Sequence, residues 1–213
     1  MSNLMDKEIS VLLNDVPAHA DYACNAADLD LEDIPEDRIK KVINLLNSSD
    51  ESTIFEAAKL LTHWGQTSGF DALANLLNEN KLDGYIDHRL HGYDDTFQHV
   101  LCAFVSYWAT QSGLGLGEQA RIKMFPYVEK IIEKSNTQPF EICRFFWVIE
   151  SEQYSEYIPL IRNHLIQIID HPKLQFWKIH DALELMLKLD PEFVHDLLDG
   201  KGKTLEDFKI NNL

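Results

Sequence analysis

"IPLIRNHLIQIID", residues 158–170, sets apolar residues at helical spacing around a proline at 159, a first-turn position where a missing N–H is no loss. The pattern has echoes. "FPYVEKIIEK" (125–134) carries a proline at 126 and "DPEFVHDLL" (190–198) one at 191, spacings of 33 and 32 residues. After each of the first two comes a second run with bulky apolar residues, "PFEICRFFWVIE" (139–150) and then "LQFWKIHDALELMLKL" (174–189). Each unit reads as two helices that bury their faces on neighbouring units.

The same periodicity runs through the chain. Ile39, Val42, Ile43, Leu45 and Leu46 form one stripe after Pro35. Phe55, Ala58, Leu60 and Leu61 form another between the capping residues of "SSDEST" and a stop at Gly65. Further helices are predicted over 69–80, 95–111, 118–134, 139–150, 154–170, 173–189 and 191–199, and alternating runs bounded by hairpin turns are absent. The expectation is an all-α fold of stacked antiparallel helical hairpins, either a HEAT-like α-solenoid or a compact helical-repeat bundle. It covers 1–213 as a single domain: an acidic N-terminal segment (1–34), helical repeats (35–199) and a C-terminal tail (200–213).

Thirty-five acidic against nineteen basic residues leave a formal net charge of −16, which repels phosphate backbones and anionic lipid alike. Direct nucleic-acid or membrane binding is therefore not expected, whereas a basic partner is favoured. Residues 1–37 hold ten acids and one base, Lys7. Asp28, Asp30, Glu32 and Asp33 lie in the densest stretch, "DLDLEDIPED" (28–37). Two readings stay open for it: a solvated linker entering a helix at Pro35, or a patch that faces a partner. Cys24, Cys102 and Cys143 are odd in number and widely spaced, which argues against a disulfide framework, and the N-terminus reads as no signal peptide. A reduced, cytoplasmic setting is inferred.

No catalytic constellation emerges. "HRLHGYDD" (88–95) combines His88 and His91 with Asp87, Asp94 and Asp95, but the spacing matches no zinc-ligand pattern. Capping of the following helix by Asp94 or Asp95, with Gly92 supplying the turn, is the stronger reading. "GLGLG" (113–117) leaves a helix rather than a strand, so it reads as an interhelical turn and not a phosphate loop. Cys102 and Cys143 read as small hydrophobes, and His63-Trp64-Gly65 as a helix end with a half-buried indole. The aromatics from Phe104 to Trp177 mostly read as core, with a few tryptophans or tyrosines reaching the surface as anchors. The expectation is a non-enzyme with no catalytic residue, cofactor or metal.

The residues of "LLTHWGQTSGFDALANLLN" (60–78), "HRLHGYDDTFQHVLCAFVSYWA" (88–109) and "PFEICRFFWVIESEQYSEYIPLIRNHLIQIID" (139–170) carry a resemblance. The chain resembles, over about residues 55 to 190, the helical, HEAT-like immunity proteins of bacterial polymorphic-toxin and contact-dependent growth inhibition systems. The resemblance implies a non-catalytic protein that binds and neutralises a cognate toxin domain. Many such toxins are nucleases, whose basic clefts an acidic protein covers by charge complementarity. Residues 81–94 form the longest internal stretch without an apolar stripe, and long internal loops are more often functional than ordinary turns. Asp83, Asp87, Tyr93, Asp94 and Asp95 are the expected contact residues, with Asp28, Asp30, Glu32 and Asp33 as a second patch. The alternative is a general helical-repeat scaffold or adaptor for a non-toxin partner.

Overall fold

The computed structural model describes residues 2–210, so Met1 and the last three residues of the expected tail lie outside the described residues. The protein is all-α: α1 (Ser2–Asn14), α2 (Glu36–Leu45), α3 (Glu51–His63), α4 (Thr67–Asn78), α5 (Thr96–Gly113), α6 (Gly117–Ser135), α7 (Phe146–Ser151), α8 (Ile158–Ile168), α9 (Pro172–Leu189) and α10 (Pro191–Lys201). Short 3₁₀ turns intervene, among them Ala26–Asp28, Leu31–Asp33, Cys143–Phe145 and Leu205–Phe208. The extended pairing among the described residues is one isolated bridge, Asp87 with Asp94. No helix of the described residues is long and apolar enough to cross a membrane. Contacts divide the chain into two compact units: one holds the residues up to Tyr85 with Cys102–Phe125, the other Ile86–Leu101 with the residues from Pro126 onward.

The first unit gathers around Trp64. Its side chain is 1% exposed, against the half-buried indole expected from sequence, and it packs with Ala20, Ala26, Leu29, Ile34, Val42, Ala57, Leu60 and Leu61. Burying an indole requires a partner for its N–H, and Nε1 donates to the Ala26 carbonyl at 2.7 Å. The Arg38 guanidinium lies 5.1 Å from the ring centroid, and its Nε donates to the Leu12 carbonyl at the end of α1. The acidic N-terminal segment is consequently no solvated linker. Leu29 and Ile34 are buried, and Leu12, Leu13 and Val16 pack against the same core. A missing Cβ at Gly69 lets α4 close on α3, since a Cβ there would lie 2.6 Å from the Thr62 nitrogen and 2.8 Å from the Ala58 oxygen.

In the second unit α8, α9 and α10 pack in sequence order, and Pro159 and Pro191 occupy first-turn positions. Pro126 differs: it stands inside α6. Its ring removes one amide from the ladder without ending the helix, because the buried stripe Met124, Val128, Ile131 and Ile132 continues across it. The helix expected over 139–150 begins only at Cys143–Phe145 and α7. Gln138 precedes a proline, which disfavours helical backbone, and Phe140 and Ile142 are buried at a spacing of two.

Lys178 fills the opening that this leaves. Its side chain is buried, and Nζ donates to the carbonyls of Ser135 and Gln138, the latter at 2.7 Å. A cation at the negative end of α6 is favourable, though burial still pulls its pKa down to about 8. Beside it His164 is fully buried, its Nδ1 donates to the Asn136 amide oxygen at 2.6 Å, and its Nε2 has no partner. That ring is neutral: burial first, and Lys178 second, hold its pKa down to about 3.

Two outcomes follow from this packing. Gly69→Ala should destabilise by about 1–3 kcal/mol, read from denaturant unfolding, because backbone atoms of α3 cannot move aside. Acidification should be harmful through His164, whose folded pKa is depressed. Between about pH 6.5 and pH 3 the unfolded chain takes up a proton that the folded chain refuses, so stability falls with pH by up to about 1.4 kcal/mol per unit. Measured melting temperatures of His164→Gln should show a shallower slope over that window.

Candidate functional site

The 79–95 connection is an ordered loop. Asn80 turns the chain with φ 55° after α4, and Leu82 anchors it at 0% exposure. Tyr85 stacks on Phe55 with ring centroids 4.3 Å apart. From Ile86 onward the backbone closes on itself: Asp95 N donates to the Ile86 carbonyl at 2.7 Å, and His88 N to the Tyr93 carbonyl at 2.8 Å. Gly92 N donates to the His88 carbonyl at 2.9 Å, and φ 65° at Gly92 makes the turn that glycine accepts without strain.

Side chains reinforce the turn. The His88 ring stacks on His91 (5.0 Å) and on Tyr93 (4.5 Å), and its Nδ1 accepts from the amides of Leu90 and His91 at 3.3 Å each. One ring nitrogen of His88 thereby holds the backbone of the turn. Burial and the neighbouring Asp95 and Glu141 push the Tyr93 phenol up to about 12, so it stays protonated and available as a donor.

The expected contact residues separate by environment. Asp83 and Asp87 are exposed, and Leu90 at the tip is 84% exposed. Asp94 is half-buried and caps α5, its Oδ1 accepting from Thr96 N at 3.0 Å. Asp95, grouped above with the contact acids, is buried at 6% exposure. Its carboxylate accepts from the Gln98 amide at 2.7 Å when that nitrogen faces it, and the Gln98 oxygen then accepts from Arg144 Nε at 3.2 Å. Burial raises the Asp95 pKa above the ordinary carboxylate value, partly offset by His88 and Arg144. Asp95 shapes the loop from inside.

The second patch divides likewise. Asp28 Oδ2 accepts from the amides of Cys24 and Asn25 and from the Asn25 side chain, closing a capping box around Ala26–Asp28. Asp33 accepts from the Tyr22 hydroxyl at 2.7 Å and pairs with His19 at 3.0 Å. Asp30 and Glu32 stand exposed.

Sequence reasoning did not locate three features. Among the aromatic residues, Tyr22, Trp147 and Trp177 reach the surface at 49%, 52% and 59% exposure, and Leu174, three residues before Trp177, is 81% exposed. The connection of buried Asp95 through Gln98 to Arg144 joins residues far apart in the chain. Among the described residues, a metal-competent donor group forms at His180, Asp181 and Glu184, an i, i+1, i+4 set on α9 that was legible as spacing alone. No family model matches the chain, and neither does any curated protein or solved structure. Fold and surface together define an all-α protein with an ordered acidic loop.

The split of roles is measurable. Asp94→Ala should lower stability by about 1 kcal/mol through loss of the cap, whereas Asp83→Ala and Asp87→Ala should leave denaturant midpoints nearly unchanged.

Proposed function

We propose that this protein is a non-catalytic immunity protein that binds and neutralises a cognate basic toxin domain. The observation that carries the reading is the net charge of −16 together with a connection in which Asp83 and Asp87 are exposed and residues 86–95 are closed by backbone hydrogen bonds. An ordered loop loses little conformational freedom on binding, so more of its contact energy remains as affinity. Leu90 at the tip supplies an apolar surface that a partner could desolvate, beside Tyr93 as a hydroxyl donor. Asp30 and Glu32 add to the field at a second place. The resemblance carried by residues 60–78, 88–109 and 139–170 points the same way. Charge then sets the rate of encounter, and the desolvated contacts set the lifetime.

A scaffold or adaptor role is the second reading, favoured by exposed Trp147, Trp177 and Leu174, which suit a partner of any charge. Co-expression with a toxin-like protein from the neighbouring genes, followed by binding kinetics at two salt concentrations, separates the two. For the immunity reading, a basic partner loses its toxicity, and Asp83→Lys with Asp87→Lys slows association about tenfold or more at low salt while unfolding midpoints hold. Association rates indifferent to both substitutions and to salt would sink the acidic-loop assignment; a non-toxic partner would favour the scaffold.

A further inference from the structure

Helix α9 reads His180-Asp181-Ala182-Leu183-Glu184, and helical geometry brings the imidazole and both carboxylates to one side. One ligand atom from each lies within 4.8 Å of the others. The orientation of the imidazole is fixed from outside the group. His180 Nδ1 lies 2.8 Å from the Phe208 carbonyl oxygen, which can only accept, so Nδ1 carries a proton. The free valence is therefore Nε2, and it faces Glu184 Oε1 at 3.5 Å. A nitrogen lone pair opposed to a carboxylate oxygen is repulsive unless a cation stands between them, either a second proton or a metal ion.

Asp181 favours the metal ion. It is half-buried, and the Glu184 carboxylate adds a like charge nearby. One proton on His180 balances one carboxylate and leaves the other uncompensated, whereas a divalent ion balances both. The fixed Nδ1–H to a backbone carbonyl is the outer contact that metal-binding histidines characteristically make. The Trp177 indole meets the His180 ring edge-on at 5.9 Å and shelters one side of the group.

We propose that His180, Asp181 and Glu184 bind one divalent transition-metal ion of the zinc type, through Nε2 and one oxygen of each carboxylate, with a remaining position left to solvent. One nitrogen and two oxygens suit zinc, cobalt or manganese; calcium prefers six to eight oxygens and copper(I) prefers sulfur. Ligands about 2.0–2.2 Å from an ion stand at most roughly 4 Å apart, so Glu184, the exposed member, draws in by rotating its side chain. The site is independent of the toxin-binding reading.

The test is calorimetric titration of zinc, with cobalt absorption as a second probe, into the chelator-treated full chain. Circular dichroism of each variant checks folding. One ion per chain is expected, bound at least tenfold more weakly by Glu184→Gln and by His180→Gln. Glu184→Gln is exposed and near-isosteric, so it keeps the test decisive should His180→Gln lose its hold on Phe208 and unfold. No saturable binding by the wild-type chain would overturn the proposal. So would equal binding by Glu184→Gln, or binding abolished instead by His88→Gln with His91→Gln. Partner association is read separately, so either proposal can fail alone.

Discussion

A protein built from helices must find donors for the carbonyls that every helix leaves open at its C-terminal end. Here long side chains from other segments do so repeatedly. Arg38 reaches Leu12 at the end of α1, Gln111 reaches Gly65 after α3, and Lys178 reaches Ser135 and Gln138 after α6. Trp64 and His180 do the same for the 3₁₀ turns at Ala26 and Phe208. Each bond spans a long stretch of sequence, so satisfying a helix end also fixes which helices pack together. The polar bonds specify the pairing, and apolar burial supplies most of the stabilisation.

The opposite helix ends account for part of the negative charge. Asp50 accepts from Thr53 N, Asp94 from Thr96 N and Asp190 from Phe193 N, each at the positive end of a helix. Such carboxylates serve the fold and contribute only their long-range field to association. Asp83, Asp87, Asp30 and Glu32 have no comparable duty in capping, and that freedom separates the acids suited to contact from those that shape the surface. Charge counted along a sequence does not distinguish the two groups; hydrogen-bond geometry does.

Legibility in the sequence follows the same division. The all-α class and most helices were readable because apolar spacing of three and four is a local property, and the cap at Asp94 was readable from its position before an apolar run. The extended course of 139–142 was not, since "PFEICRFFWVIE" satisfies a helical pattern and only the burial of Phe140 and Ile142 excludes it. Pro126 misleads for the converse reason: a long buried stripe outweighs one missing amide. In the loop, Asp83 and Asp87 stand exposed, while Asp95 is buried, a placement set by tertiary contacts. The ordering of residues 15–34 around Trp64 depends on a carbonyl 38 positions away and has no local signature.

The Lys178 bridge also bears on synthesis. The end of α6 at Ser135 leaves the ribosome well before the lysine that closes it, 43 residues later. At roughly 5–20 residues per second, the nascent chain spends some seconds with that helix end exposed to solvent. The turn at 136–142 therefore gains its two Lys178 hydrogen bonds only after α9 has emerged.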